Sequence, residues 1–147
     1  MGTYTFLPHT ADEKFRVEAK DLNDAFATSV TAFYEIMLGK TLVQKKETKN
    51  ITIRAKKLSS LLYDFLNELV FLFDDEGLLL QFVETLRIVK ENDEFVLEAS
   101  LSGDKQYDYD LITEIKNMTY SDMEIVQHTG NGQSHSGKVE LTVVVDI

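Results

Sequence analysis

Two aspartates near the two ends of the chain are the residues best suited to bind a cation. Asp12 closes the proline-containing turn Leu7-Pro8-His9-Thr10-Ala11-Asp12, and short polar side chains in such a turn can direct oxygens toward a ligand. Asp146 lies one residue before the α-carboxylate of Ile147. Carboxylates are the hard oxygen donors that Ca²⁺, Mg²⁺ and Mn²⁺ prefer. The alternatives are that Asp12 caps backbone amides and that Asp146 is a solvated strand end.

A third acidic segment stands at the predicted end of a helix. Asp74, Asp75 and Glu76 precede Gly77, and each negative charge there opposes the helix dipole at a typical cost of about 0.3–1 kcal/mol. Residues that break a local rule in this way often serve a function. We therefore consider the segment a candidate site for a ligand or a basic partner, with a solvated helix end as the alternative.

The motifs of self-contained nucleotide or hydrolase chemistry are missing from the sequence. The seven glycines form neither GxGxxG nor a Walker pattern, no GxSxG occurs, and the three histidines lack metal-site spacing. The chain has no cysteine, which excludes disulfides, thiolate metal sites and cysteine nucleophiles. We expect a protein that performs no catalysis of its own.

Length and charge restrict the classes of partner. The 147 residues predict one compact domain over 1–147, and 15 basic against 25 acidic side chains give a net charge of −10. That charge argues against tight, direct binding of a nucleic-acid backbone and favours a cation or a basic protein. No signal peptide or membrane-spanning stretch is recognisable, so we expect a cytoplasmic protein without membrane contact.

Two segments have helical periodicity. In the first, apolar residues from Leu22 to Met37 share one face, with Asp21 predicted as the N-cap and Gly39 as the stop. The second is expected to begin at Ser59 or Ser60 and to end at Gly77. Its apolar residues cover more than one stripe, which predicts a helix that packs on more than one side.

Alternation of apolar and polar residues predicts about eight strands. The segments 78–90 and 94–102 are expected to pair through a turn at Asn92–Asp93, and 113–120 is expected to pair with 123–127. A mobile loop is expected at 129–137. Together with the helices, these strands predict an α+β fold with both helices packed on one side of a mostly antiparallel sheet.

Four blocks of sequence, in order, resemble the archease family. They are the turn at residues 7–12, the helical segment Leu61-Leu62-Tyr63-Asp64-Phe65-Leu66-Asn67-Glu68-Leu69 that continues into Phe71-Leu72-Phe73-Asp74, the block Thr113-Glu114-Ile115-Lys116 with Thr119-Tyr120, and the pair Asp146-Ile147. The resemblance extends over the chain from end to end.

The resemblance implies an accessory protein of the RtcB-type RNA ligase, which joins tRNA halves with GTP and Mn²⁺. Archease restores guanylylation of the trapped ligase, so that many turnovers follow, and GTP is bound only through that partner. The implied metal pocket consists of Asp12, Asp146 and the α-carboxylate of Ile147, and Lys116 is a further candidate functional residue. Candidate interface residues are His9, Asp74 and Asp75.

The sequence departs from the family pattern at two places, both relevant to docking. Ser121 stands where the family usually has a histidine, and 108–112 lacks the histidine and proline often found there.

Two other functions stay open. One is a chaperone-like modulator of a tRNA methyltransferase, and the other is a stand-alone metal-dependent hydrolase that uses Asp12 and Asp146.

Overall fold

The computed structural model describes residues 2–8, 12–128 and 138–147. Within these ranges the chain forms seven strands, two α-helices and one short 3-10 helix. In chain order they are β1 (Thr3–Leu7), β2 (Asp12–Ala19), α1 (Leu22–Leu38), β3 (Glu47–Ala55), α2 (Leu58–Glu76), β4 (Leu78–Glu91), β5 (Glu94–Lys105), the 3-10 helix (Gln106–Asp108), β6 (Asn117–His128) and β7 (Lys138–Asp146). None of the helices in these ranges is long and apolar enough to cross a membrane.

The strands form two antiparallel sheets. One sheet has the order β1-β2-β7-β6 and the other has the order β3-β5-β4. The α+β class is therefore confirmed, with two sheets in place of the single sheet that was expected. α1 packs against β4 and against β1, β2 and β7, while α2 packs against β6 and against β3, β4 and β5, so each helix contacts strands of both sheets.

Both helices and both sheets contribute to one hydrophobic cluster. Phe15 of β2, Phe26 and Phe33 of α1 and Phe65 of α2 are fully buried in it. The rings of Phe26 and Phe65 stack with centroids 6.4 Å apart and thereby join the two helices. The prediction that α2 packs on more than one side agrees with its contacts to strands of both sheets.

The ends of α1 lie where the sequence predicts them. The carboxylate of Asp21 accepts a hydrogen bond of 2.8 Å from the N–H of Asp24, which satisfies an otherwise unpaired donor of the first turn. Gly39 ends the helix with φ 63°, a left-handed conformation that favours glycine. The same holds for the end of α2, where Gly77 has φ 69°.

The predicted start of α2 is wrong. The helix begins at Leu58, with Lys57 as an N-cap that makes no capping bond through its side chain, and Ser59 and Ser60 lie inside the first turn. Leu58 packs against the hydrophobic cluster. Burial of this leucine therefore favours a helix that starts before the serines, although their capping preference is stronger than that of lysine.

The predicted pair of strands at 113–120 and 123–127 is a single strand, β6. Both halves of β6 pair with β7, and the register between the two strands shifts between Thr119 and Glu124. Asp122, in the irregular part, has φ 55°. The polar break in the pattern is therefore a bulge and not a reverse turn, because β7 offers one continuous partner to both halves. The described residues accordingly hold seven strands, where about eight were predicted.

The turn between β4 and β5 is confirmed. Asn92 and Asp93 have φ values of 48° and 67°, as a two-residue hairpin turn of the primed type requires. The loop expected at 129–137 lies outside the described residues.

Candidate functional site

Strand pairing places the two candidate metal-binding aspartates opposite each other. Asp12 at the start of β2 pairs with Asp146 at the end of β7, and Asn117 at the start of β6 pairs with the other side of Asp146. Residues directly opposite in antiparallel strands project to the same face, with Cβ atoms about 4.5–5.5 Å apart. Asp12, Asp146 and Asn117 thus form one row across three neighbouring strands, which we call the carboxylate row.

The row lies on the sheet face that points away from the hydrophobic cluster. Val143 and Val145 of β7 are fully buried in that cluster, and side chains alternate between the two faces of a strand. Asp146 therefore projects to the opposite face, where it is half-buried, as is Asp12. Carboxylates in this position keep access to solvent while the strands fix their backbones.

Contacts on both sides hold the end of β7 in place. The backbone N–H of Lys116 donates a hydrogen bond of 2.8 Å to the carbonyl oxygen of Asp146. The next residue, Ile147, is half-buried and packs against the hydrophobic cluster. Packing of this side chain anchors Ile147, the residue that follows Asp146.

The chemistry of the row is that of opposed carboxylates. Like charges directly opposite in a sheet are destabilising in general, and a cation between two such carboxylates replaces repulsion with attraction. In the ranges that the structure describes, no three side chains of His, Cys, Asp or Glu type form a metal-binding group. The side chains that strand pairing brings together at the row are two aspartates and Asn117, whose carboxylate and amide oxygens are of the hard type that divalent cations prefer.

Sequence reasoning missed Asn117. Its side-chain oxygen joins the row only through the pairing of β6 with β7, and no local pattern announces that pairing. Lys116, directly before it in the chain, has an exposed side chain. His9 lies outside the described residues. Asp74 and Asp75 are exposed on the last turn of α2, an element that contributes no residue to the row.

A model of the archease protein family (MTH1598/TM1083) matches residues 4–147 of this chain. The chain belongs to the archease family. Two archeases illustrate the similarity. Protein archease of Methanosarcina barkeri is 31% identical over 147 residues, which is 98% of this chain and 95% of that protein. Protein archease of Sulfurisphaera tokodaii is 31% identical over 150 residues and covers both chains in full.

A solved archease-family structure has the same fold. The solution structure of Methanobacterium thermoautotrophicum protein 1598 superposes with a TM-score of 0.79 at 27% sequence identity, and the match covers 98% of each chain. The α+β architecture with two helices and two antiparallel sheets is therefore that of the archease family.

The two places where this chain departs from the archease pattern occupy irregular backbone. Ser121 lies in the bulge of β6, where its N–H donates a hydrogen bond of 3.0 Å to the hydroxyl of Thr119. The segment 108–112 begins at the last residue of the 3-10 helix, and the N–H of Ile112 donates to the carbonyl of Met37, which ties the segment to the end of α1.

The perturbed carboxylates lie elsewhere in the fold. A hydrogen bond from the Tyr109 hydroxyl lowers the pKa of Asp104, and partial burial opposes that change. The ammonium of Lys45 and the hydroxyl of Ser102 lower the pKa of Glu84. Both carboxylates are acceptors in ion pairs or hydrogen bonds around the three-stranded sheet, as expected of structural contacts and not of an acid–base pair.

Proposed function

We propose that this chain is a non-catalytic accessory protein of an RtcB-type RNA ligase in tRNA splicing, where it promotes guanylylation and multiple turnover of the ligase. Membership of the archease family supports an accessory role in tRNA processing. The net charge of −10 suits a partner with a positive RNA-binding cleft. GTP belongs to the ligase in this proposal.

The observation that carries the proposal is the pairing of Asp12 with Asp146 across β2 and β7. We propose that these aspartates and the α-carboxylate of Ile147 hold a divalent cation (Ca²⁺, Mg²⁺ or Mn²⁺), with Asn117 as a fourth oxygen donor. A bound cation supplies a positive charge that phosphate oxygens at the ligase can approach. The strands orient the carboxylates, and Lys116, whose side chain is exposed and whose backbone N–H bonds the carbonyl of Asp146, is the nearest cationic residue in sequence to Asn117.

A ligation assay with purified ligase, tRNA halves, GTP and Mn²⁺ tests the accessory role. The native chain should convert ligation from a single turnover to many, and on its own it should neither join nor cleave RNA nor hydrolyse GTP.

Asp12→Asn and Asp146→Asn should lose most of this stimulation with little change in thermal stability. Asp93→Asn in the turn between β4 and β5 is the matched control and should stimulate as the native chain does, since asparagine tolerates its φ of 67°. Ligation that is indifferent to the native chain would contradict the proposal.

Calorimetric titration with Ca²⁺ and with Mn²⁺ tests the metal site without the ligase. Asp12→Asn should weaken binding of both ions, because one of the charged donors becomes a neutral amide. Extension of the chain after Ile147 should weaken it as well, since the α-carboxylate becomes a neutral amide carbonyl. Equal affinity of the native and extended chains would show that Ile147 is not a ligand. The variants Asp12→Asn and Asp146→Asn would then decide whether the two aspartates bind the cation.

The two alternative functions have distinct outcomes. Co-purification with a tRNA methyltransferase in place of an RNA ligase would favour the chaperone-like role. Cleavage of phosphodiesters by the native chain alone, lost in Asp146→Asn, would favour a stand-alone metal-dependent hydrolase.

A further inference from the structure

From Asp64 to Asp75, the solvent side of α2 carries acidic, amide and aromatic side chains. Its spacing of i, i+3, i+4, i+7, i+10 and i+11 puts six residues on one side of the helix. We call this side the acidic face of α2: Asp64, Asn67, Glu68, Phe71, Asp74 and Asp75. All six are exposed or half-buried, and α2 contains no lysine or arginine.

Phe71 is an apolar contact point in the middle of this face. Its side chain is 55% exposed, although every other phenylalanine and leucine between Leu61 and Phe73 is buried. A second aromatic contact point borders the face, where Tyr63 stacks on Tyr120 of β6 with centroids 4.1 Å apart and an interplanar angle of 8°. Tyr120 is 53% exposed. Tyr63 and Phe71 are eight residues apart, or about 12 Å along the helix.

The four carboxylates of the face have no partner among the described residues. In that part of the chain, Asp64, Glu68, Asp74 and Asp75 take part in no ion pair and accept no side-chain hydrogen bond. Asp74 and Asp75 also lie at the negative end of the helix dipole, which is unfavourable for a free carboxylate. A cationic partner would relieve both the mutual repulsion and the opposition to the dipole.

We propose that the acidic face of α2 docks a basic protein surface, one whose lysines or arginines surround an apolar pocket for Phe71. Aromatic anchors ringed by polar contacts are typical of binding hot spots, and complementary charge steers and orders such complexes. This inference rests on the proposed function, since the basic partner it assigns is the RtcB-type ligase. It places a second contact with that ligase on an element that contributes nothing to the carboxylate row.

Charge argues against the other occupants. Nucleic acid and anionic membranes would be repelled by four carboxylates. A second copy of the chain also carries a net charge of −10. Among the lysines at 45–57, Lys45 already pairs with Glu84 at 2.8 Å and Lys49 with Glu76 at 3.1 Å within the chain. A basic protein is the occupant that the face complements.

The test is the affinity of the native chain and its variants for the purified ligase, measured by calorimetry at low and at high salt. Phe71→Ala should raise the Kd about tenfold or more, as loss of a hot-spot aromatic does. The double variant Asp74→Asn with Asp75→Asn should raise the Kd about three- to tenfold at low salt and much less at high salt. Its melting temperature should rise, so that weaker binding cannot result from unfolding.

Two matched controls change the same chemistry elsewhere. Leu42→Ala removes another exposed apolar side chain, and the double variant Glu91→Gln with Asp93→Asn removes two exposed charges from the turn between β4 and β5. Both controls should bind as the native chain does. A photo-crosslinking amino acid at position 71 should also attach to the ligase, whereas the same group at position 42 should not.

The outcomes separate this inference from the proposed function. Equal affinity of the native chain, Phe71→Ala and the Asp74–Asp75 double variant would overturn the docking surface and leave the accessory role intact. Absence of any binding between the native chain and the ligase would overturn both. An effect of the control variants as large as that of Phe71→Ala would also overturn the surface, because the loss would then not be specific to α2.

Discussion

The first turns of the two helices have opposite charge. α1 begins with the capping carboxylate of Asp21 and carries Asp24 in its first turn, where negative charge is favourable. α2 begins with Lys57 after Lys56 and has no acid in its first turn. The start of α1 thus follows the rules of an isolated helix, and the start of α2 opposes them.

The last turns differ in how their acids are used. Glu35 in the last turn of α1 accepts hydrogen bonds from the Tyr4 hydroxyl at 2.7 Å and from the Lys40 ammonium at 2.8 Å. At the end of α2, Glu76 pairs with Lys49, whereas the described residues provide no partner for Asp74 or Asp75. Both helices therefore end in acids. Among the described residues, the acid at the end of α1 has a cationic partner, whereas two of the three acids at the end of α2 have none.

This difference shows that burial, and not charge at the ends, stabilises α2. Eight of its residues are buried, among them Leu61, Leu66 and Leu69. Full burial of one such side chain is worth about 1.5–3 kcal/mol, against about 0.3–1 kcal/mol for one charge near a helix end. The buried face therefore outweighs the unfavourable ends and leaves the solvent side of α2 free to serve binding.

The largest expected effect follows from removing a part of that buried face. Leu66→Ala should lower the free energy of unfolding by about 2–5 kcal/mol, because it removes apolar contacts and leaves a cavity in the cluster. Leu42→Ala, at a side chain that is 72% exposed, should change it by less than about 0.5 kcal/mol. Urea unfolding of both variants measures the contrast. A loss for Leu66→Ala no larger than that for Leu42→Ala would refute the dominance of burial.

Substitution of the N-cap residue is expected to change the free energy of unfolding by a smaller amount, and in opposite directions in the two helices. Asp21→Ala should lower the free energy of unfolding by about 0.5–2 kcal/mol, because the N–H of Asp24 loses its acceptor. Lys57→Asp should raise it by about 0.5–1 kcal/mol, since α2 gains a capping side chain and a favourable charge. Urea unfolding at low salt measures both. A destabilised Lys57→Asp variant would show that Lys57 has a contact more important than the cap.

Neutralising the acids at the end of α2 should stabilise the free protein. Asp74→Asn and Asp75→Asn should each raise the free energy of unfolding by about 0.3–1 kcal/mol at low salt, and added salt should reduce the gain. Glu35→Gln in α1 is the counterpart and should destabilise, because the pair with Lys40 is lost. Thermal unfolding at two salt concentrations distinguishes these cases. Destabilisation by Asp74→Asn would mean that this carboxylate is already used within the fold.

The same contrast explains what the sequence could and could not predict. The cap at Asp21 and the stops at Gly39 and Gly77 are local features, so their residue types predict them correctly. The start of α2 is decided by burial of Leu58, a contact distant in sequence, and the serines beside it are misleading. Local propensity fails where tertiary packing outweighs it.

The carboxylate row shows the same limit. Resemblance to the archease family pointed to Asp12 and Asp146, and the pairing of β2 with β7 brings them together. The sequence does not predict Asn117, because the register between β6 and β7 decides which residue lies opposite Asp146. The bulge at Asp122 shifts that register. A polar break such as Ser121–Asp122 is equally typical of a turn and of a bulge, and only the strand opposite distinguishes the two.

The last effect depends on alkaline pH and concerns the hydrogen bond from Tyr4 to Glu35 in α1. Partial burial, together with the hydrogen bond to Glu35 and the charge of that carboxylate, raises the pKa of Tyr4 from 10.0 to about 12. For a group with a raised pKa, the contribution to stability is complete below the unfolded value and is lost as the pH rises. Tyr4 should therefore stabilise the fold fully below pH 10 and progressively less between pH 10 and about 12.

Tyr4→Phe isolates this contribution, because phenylalanine keeps the ring and removes the titrating hydroxyl. At neutral pH the variant should lose about 0.5–1.5 kcal/mol or less, the net worth of one hydrogen bond. Urea unfolding from pH 9 to pH 11.5 should then show stability declining more steeply in the native chain than in the variant, so that the two curves converge. The buried hydroxyl of Tyr34 is present in both proteins and cancels in the comparison. Parallel curves over this range would show that the Tyr4 hydroxyl does not couple to Glu35, which would leave Lys40 as the stabilising partner of that acid.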